Sequence, residues 1–260
     1  MTETIERLRL KIAQITRLTP RIRLYQLRAA SGIELPLVTA GSHIAIPVKL
    51  ANGKENFHHY FICSNPNQRE FYEIAVPFRD DNVADNNVTD TNVTDENGNG
   101  GAQFISENFV VGTLLECGMP SNNFHLHADA SPAVLIAGGI GITPIRSMIQ
   151  HLVDTGQHRT VTLYYSAQTV DSFTYWHLFN QAVSNGVRPN YVITGQNVPE
   201  NWTGKTGHLT SDIIKNEVSD YKHAIYYLSG PSAMVNSYVQ MLRKAGIHRK
   251  QIKTDYFPGF

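Results

Sequence analysis

Residues 133–144 read AVLIAGGIGITP, and TPIRSMIQHLVDTG continues from residue 143. A short, wholly apolar run such as AVLIAG is the pattern of a strand buried on both faces. Gly138, Gly139 and Gly141 let the backbone turn tightly and approach a ligand with no Cβ in the way. Ile145, Met148, Ile149 and Leu152 then recur at helical spacing. Thr143 is the expected N-cap of that helix and Pro144 its expected first residue. The leading N–H groups and the dipole of such a helix suit a pyrophosphate.

Working toward the C-terminus, strand and helix patterns alternate. TVTLYYS, PNYVITG and AIYYLSG read as strands, while SFTYWHLFNQAVSNG, SDIIKNEV and SAMVNSYVQMLRKAG read as helices. The alternation predicts parallel βαβ units with helices on both faces, a nucleotide-binding-type α/β domain over residues 129–260. Ligands in open α/β sheets collect at the carboxyl ends of strands, so YLSGP, with Ser229, Gly230 and Pro231, is expected on the same edge as the glycine turn.

Working toward the N-terminus, the punctuation changes. Residues 7–28 alternate as strand material, LPLVTAGSHIAIPVKL (35–50) reads as a strand broken by a glycine turn, and Asn52-Gly53 is a hairpin signal. HHYFIC and EFYEIAVPF are further short aromatic and β-branched runs. Residues 1–128 are therefore expected to form a small antiparallel β-barrel. Within them, residues 79–101 are rich in Asn, Asp, Gly and Thr with a near-repeat NNVTD…TNVTD, which reads as a mobile surface loop. The loop lacks a twelve-residue calcium-binding register.

Composition narrows the function classes. The 260 residues hold 22 Lys plus Arg and 22 Asp plus Glu, so the basic excess of a nucleic-acid binder is missing. Residues 80–145 carry nine acids and no Lys or Arg, which leaves the remainder at net +9 and able to steer an acidic partner or an anionic cofactor. No run of 18 apolar residues spans a membrane, and MTETIERLRLKIAQ is no secretory signal, so the expected setting is cytoplasmic. The sequons at Asn87, Asn92 and Asn201 then carry no weight. Cys63 and Cys117 cannot ligate a cluster that needs four thiolates. His58-His59 and His125-x-His127 lack zinc-ligand spacing, and no metal site is expected. Ser106, Ser147 and Cys117 have no recognisable base for nucleophilic catalysis.

The stretches LPLVTAGSHIAI, HHYFICSNP, YEIAV, NGGAQFISENFVVGTLLECGMPSNNFHL, VLIAGGIGITPIRSM, YLSGPSAM and the terminal DYF occur in an order and spacing that resemble a known family. Over almost its full length the chain is similar to the flavin- and NAD-binding module of the ferredoxin–NADP reductase superfamily, of the phthalate dioxygenase reductase and vanillate demethylase reductase type. The resemblance implies a flavin, FMN or FAD, on the barrel at His58, His59, Tyr60, Phe61, Ala75, Val76, Gly101, Ala102 and Gln103. It implies NADH or NADPH on the second domain at Gly138, Gly139, Ile140, Gly141, Thr143, Pro144, Ser166, Gln168, Gly230, Pro231 and Met234. Ser229 and Asp255 stand at the positions of its redox face.

The departures from the family gather on the flavin. Its Arg-x-Tyr-Ser/Thr motif is His58-His59-Tyr60-Phe61 here, which keeps the tyrosine but replaces a permanent charge by an imidazole and a hydroxyl by a phenyl ring. A family serine that contacts flavin phosphate is Ala102. Each lost hydrogen bond is worth about 1–3 kcal/mol, enough together to weaken flavin binding by several powers of ten. Ser229 and Asp255 replace a family Cys and Glu conservatively, and Gln168 stands where an Arg is frequent, which favours NADH over NADPH. Phe260 reads first as a frayed aromatic terminus, with shielding of a flavin face as the alternative. The dioxygenase reductases carry a four-cysteine ferredoxin domain after this module, and here the sequence stops at Phe260, so electrons are expected to leave to a separate ferredoxin or oxygenase component. The expected function is thus a flavin reductase fed by NAD(P)H. The alternative is a flavin-deficient, non-catalytic relative serving as a nucleotide-binding or complex subunit.

Overall fold

The computed structural model describes residues 6–49, 55–78, 101–128 and 131–257. The chain divides between His125 and Leu126 into two compact units. The Asn52-Gly53 turn, residues 79–100 of the Asn/Asp-rich stretch and Phe260 lie outside the described residues.

The first unit is antiparallel. Its elements are β1 (Arg7–Thr19), β2 (Ile22–Ala29), β3 (His43–Lys49), β4 (Glu55–Phe61), β5 (Tyr72–Pro77), α1 (Gly101–Asn108) and β6 (Leu114–Gly118). Four strands pair in the order β5-β2-β1-β6, and β3 pairs with β4. An isolated bridge joins His43 to Ser121. Period-two alternation fixes which side chains turn inward: Leu10, Ile12, Ile44, Ile46, Val48, Ile74 and Val76 are buried together with Tyr25, Leu27 and Leu115. The β1–β2 register shifts between Ile12 and Gln14, a bulge that bends the sheet, as the curvature of a barrel requires. Residues 35–42, expected as strand, form none. Ser42 N–H bonds back to Thr39 C=O at 3.0 Å, Gly41 has φ +87°, and the strand begins only at His43. Gly101, expected in the mobile loop, is the first residue of α1.

The second unit is a six-stranded parallel sheet. It comprises β7 (Ala133–Gly138), α2 (Ile142–Asp154), β8 (Val161–Ala167), α3 (Trp176–Gln181), β9 (Val187–Ile193), β10 (Lys205–Thr206), α4 (Ser211–Glu217), β11 (Ile225–Pro231), α5 (Ser232–Lys244) and β12 (Ile252–Phe257). The strand order is β10-β9-β8-β7-β11-β12. Every residue of β7 and β8 is buried, in β7 as its unbroken apolar run predicts. Val134, Ile136, Tyr226 and Leu228 pack with Ile214 of α4 and Val235, Tyr238 and Leu242 of α5. The chain leaves β7 toward β8, β9 and β10, then returns to β11 and β12. That reversal makes the β7–β11 pair the topological switch point, where crevices open in such sheets. Among the described residues no helix is long and apolar enough to cross a membrane.

SFTYWHLFNQAVSNG does not form one helix. A 3-10 turn covers Val170–Ser172, Tyr175 takes φ +63°, α3 spans Trp176–Gln181, and a second 3-10 turn covers Ala182–Asn185. Tertiary packing overrides the helical pattern. Phe173 is buried against Tyr165, Tyr191 and Trp202, with ring centroids 5.0, 5.4 and 5.8 Å away. Phe173 itself is extended, and the left-handed Tyr175 lies two residues on, so no helical turn forms before Trp176.

Candidate functional site

The β7–α2 turn and the start of α5 are interlocked through glycines. A Cβ on Gly141 would lie 2.2 Å from the Ser229 carbonyl oxygen, and one on Gly138 would lie 2.4 Å from Met234 Sδ. Gly230 has φ +153°, and a Cβ there would meet Met234 Cε at 2.7 Å and the Gly138 backbone at 3.1 Å. Gly139 takes the left-handed φ of +52° that turns the chain out of β7. The sequence expectation that the two turns share one edge is therefore met by direct backbone approach. Gly138, Gly141, Ser229, Gly230, Pro231 and Met234 lie together.

The capping expectation needs correction. Gly139–Gly141 form a 3-10 turn that runs straight into α2, so Gly141 precedes the helix, Ile142 opens it, and Thr143 and Pro144 are its second and third residues. Thr143 is not an N-cap: its Oγ1 donates back to the Ile140 carbonyl at 2.9 Å, bracing the turn from inside. Pro144 still sits in the first helical turn, where its missing N–H costs nothing.

Ser229 is fully buried, and its Oγ has no hydrogen-bond partner among the described residues. A buried hydroxyl left unsatisfied costs about 1–3 kcal/mol. In register, Ser229 is flanked by Ala137 of β7 and Asp255 of β12. Burial raises the Asp255 carboxyl from 3.8 to about 6. Ser166 is the register partner of Gly138 and is buried, whereas the Gln168 side chain is exposed one residue past the end of β8.

One participant escaped the sequence reading. Gly195 N–H donates to the Gln168 carbonyl at 3.2 Å, and a Cβ on Gly195 would stand 2.3 Å from that oxygen. The carboxyl ends of β8 and β9 thus close on each other as those of β7 and β11 do. The signal was the glycine ending PNYVITG, placed like the glycine ending AVLIAG.

In the first unit, β4 presents two faces. His58 and Tyr60 stand opposite the core residues Ile46 and Ile44, while His59 and Phe61 stand opposite Ala45 and His43. The His58 imidazole packs on the first residue of α1, where a Cβ on Gly101 would fall 2.4 Å from its Nδ1. Ala102 follows, buried in the first turn. Gln103 is exposed and bonds Glu107 at 2.7 Å. Ala75 and Val76 are buried on β5, opposite Leu24 and Arg23. The Arg23 guanidinium reaches the Ser106 carbonyl at 3.0 Å and so ties α1 to that sheet. Burial raises the Tyr60 phenol well above its ordinary value, and the nearby Tyr25 adds to the shift, so the group stays neutral.

Phe61 is 7% exposed, with its ring 6.2 Å from His43 and 6.3 Å from Phe124. His43 lies 5.0 Å from His59 and hydrogen-bonds Ser121 Oγ at 2.9 Å. Burial, then the His59 charge, lowers its pKa. The phenyl ring that replaces the family hydroxyl is thus buried beside His43 and Phe124, on the β4 face opposite His58 and Tyr60. Among the described residues no three His, Cys, Asp or Glu gather as a metal would require.

The observed residues fit both groups that the resemblance implies. At the β7–β11 pair a buried hydroxyl is left unsatisfied, and the left-handed Gly139 between them has open space where a Cβ would stand. At the start of α1 the glycine lets the His58 imidazole pack directly on the backbone, where a Cβ would clash with the ring.

Comparison with known proteins agrees. Residues 135–240 match the Oxidoreductase NAD-binding domain. The chain is 32% identical over 238 residues to the tetrachlorobenzoquinone reductase of Sphingobium chlorophenolicum, covering 92% of this chain and 64% of that protein. It is 28% identical to the vanillate O-demethylase oxidoreductase of Acinetobacter baylyi, over 95% of this chain and 67% of that one. The chain thus spans about two thirds of the length of these relatives. The flavohem-like FAD/NAD-binding domain of the nitric oxide dioxygenase of Vibrio cholerae superposes with a TM-score of 0.77 at 18% identity, covering 96% of this chain and 98% of that domain, a likeness of fold. Residues 135–240 thus carry an oxidoreductase NAD-binding domain, and the chain as a whole is similar to reductases of the phthalate dioxygenase and vanillate demethylase type.

Proposed function

We propose that this chain is the flavin- and pyridine-nucleotide-handling part of a reductase that draws electrons from NADH and delivers them to a separate ferredoxin or oxygenase component. The observation that carries the reading is the buried, unsatisfied Ser229 hydroxyl within the Gly138–Gly141 and Gly230–Met234 interlock. In this reading the turn Gly138, Gly139, Ile140, Gly141, with Thr143 and Pro144 behind it, receives the pyrophosphate. Ser229 hydrogen-bonds the nicotinamide end, and Gly230, Pro231 and Met234 form its floor. Asp255, with a carboxyl that titrates near 6, holds or releases a proton close to neutrality. Ser166 and the uncharged Gln168 line the adenosine side and favour NADH over NADPH.

On the barrel, His58 and the first turn of α1 at Gly101 and Ala102 hold the phosphate of FMN or FAD. Tyr60 packs on the ring system, with His59, Phe61, Ala75, Val76 and Gln103 around it. When bound, a flavin takes a hydride from reduced nicotinamide and gives electrons onward one at a time. The protein supplies position, exclusion of water and a neutral phenol at Tyr60. The acceptor class is supported by the oxygenase systems named among the relatives.

The test is the visible spectrum of the purified protein, before and after FMN or FAD and desalting, followed by NADH and ferricyanide. A retained flavin band that NADH bleaches, with NADH-dependent ferricyanide reduction, is the expected result. One observation favours a second reading. With a buried phenyl ring at Phe61 and Ala102 in place of a hydroxyl, a protein that recovers no flavin yet binds NADH would be a nucleotide-binding subunit instead.

A further inference from the structure

Helices α4 and α5 share a core through Ile214, Val235, Tyr238 and Leu242, but above that core their facing rows are polar. Ser237, Gln240, Met241 and Lys244 follow the i, i+3, i+4, i+7 spacing of one α5 face, and Ser211 and Lys215 the i, i+4 spacing of α4. Instead of interdigitating, these rows leave a groove of about 360 Å³. Its polar lining is two ammonium groups (Lys215, Lys244), two hydroxyls (Ser211, Ser237) and one carboxamide (Gln240). Met241 and Ala245 supply an apolar floor.

Every polar group of that lining can donate a hydrogen bond, and no carboxylate is among them. Among the described residues the side chains of Ser211, Ser237, Gln240 and Lys244 make no hydrogen bond or ion pair. Lys215 meets Asp212 at a loose 3.6 Å, with the carboxylate side chain 81% exposed. Arg243, Lys222, Arg249 and Lys250 are exposed, and none has an ion-pair partner among the described residues. Complementing the dipole at the end of α5 accounts for Arg243 and Lys244. It does not account for Lys222, or for Arg249 and Lys250, which a 3-10 turn capped by His248 and Gln251 holds outward.

We infer that the α4–α5 groove is a binding site for the phosphate monoester of a small molecule, separate from the nucleotide crevice. Two cations balance a charge of about −1.5 to −2, and the hydroxyls and carboxamide of the lining are donors of the kind that phosphate oxygens accept from. The volume exceeds what a bare phosphate needs, and the Met241–Ala245 floor takes the apolar part of the ester. The inference does not depend on the redox reading.

The test is a titration of the uniformly ¹⁵N-labelled 260-residue chain with phenyl phosphate, followed by amide shifts. The expected result is saturable shifts at Ser211, Ser237 and Lys244, with affinity lowered about tenfold in each of Lys215→Gln and Lys244→Gln. Both replaced side chains are on the surface, so the fold survives. Shifts confined to Gly138–Gly141, or a response matched by sodium chloride at equal ionic strength, overturn the site. Inorganic phosphate binding as tightly as phenyl phosphate overturns the assignment to an ester.

Discussion

Asp255 and Ser229 occupy the same register step on neighbouring strands, yet burial acts on them differently. The hydroxyl has no charge to lose, whereas the carboxyl is raised from 3.8 to about 6 because its ionised form is poorly solvated. An acid whose folded pKa lies above its unfolded value binds its proton more tightly in the folded state. Its contribution therefore favours folding at low pH and turns unfavourable as pH rises from 3.8 to about 6. The full shift corresponds to at most about 3 kcal/mol, less in so far as this partly buried side chain reaches water. Asp255→Asn is accordingly expected to raise the melting temperature at pH 8 but hardly at pH 3.5. Calorimetry at the two pH values decides, and equal effects at both would mean that the carboxyl ionises freely. Phe61 is the other informative residue. Phe61→Ser is expected to cost about 3–5 kcal/mol, because the ring packs against Phe124 and His43. It is also expected to improve FMN retention by restoring a hydroxyl to the motif. Denaturant unfolding with and without FMN reads both effects, and a neutral substitution would place the ring outside the core.

Element by element, α4 is held by one ionic node. Tyr164 of β8 donates to Glu217 Oε2 at 2.9 Å, Lys205 of β10 bonds Glu217 Oε1, and Arg188 of β9 bonds the Glu217 carbonyl. Burial pushes the Glu217 pKa up, but the hydrogen bonds from Lys205 and Tyr164 and the charges of Lys205 and Arg188 outweigh it and hold the carboxyl below its ordinary value. The stability it contributes is present above the unfolded pKa and is lost as pH falls through the lowered one. Tyr164→Phe is expected to cost about 1–2 kcal/mol in urea unfolding at pH 7, and less once the pH has fallen through the lowered Glu217 pKa and the carboxyl has taken up a proton. An unchanged midpoint at pH 7 would remove the node from the stability of α4. This node was not legible in the sequence, because its members lie on four elements and no local pattern joins them. Legibility followed the range of the interaction. The runs of β7 and β8, the order of the parallel units and the glycine turn are local, and each was readable. The Thr143 cap failed because an intervening 3-10 turn shifted the helix start by two residues, and the helix around Tyr175 failed because a buried Phe173 dictated the backbone. Gly195 was visible as a strand-end glycine, but its close approach to Gln168 is a tertiary fact.

For the molecule as a whole, the two units have separate hydrophobic cores. One is centred on Leu10, Ile12, Tyr25 and Ile44, the other on Val134, Ile136, Tyr226 and Leu228, and they share no residue. The start of the second unit is secured from within it. The buried Arg159 donates to the Ser131 carbonyl at 3.0 and 2.8 Å and to the His127 carbonyl at 2.8 Å, and Tyr227 Oη accepts from the His127 N–H at 2.8 Å. A unit that anchors its own first residues and buries its own core has what independent folding requires. Residues 126–260 expressed alone are thus expected to unfold in one cooperative transition and to keep the nucleotide crevice, since Gly138, Gly141, Ser229 and Met234 all belong to it. A ligand at one hundred times its Kd stabilises by about 2.7 kcal/mol, which for a domain of this size is a rise of about 10 °C in Tm. NADH is expected to produce that rise in the fragment as in the whole chain, and NADPH a smaller one because Gln168 brings no charge to a 2′-phosphate. A fragment that melts without cooperativity would show that the second unit depends on the first. A cooperative fragment indifferent to NADH would instead move nucleotide binding out of the β7–β11 crevice and remove the support for the reductase reading.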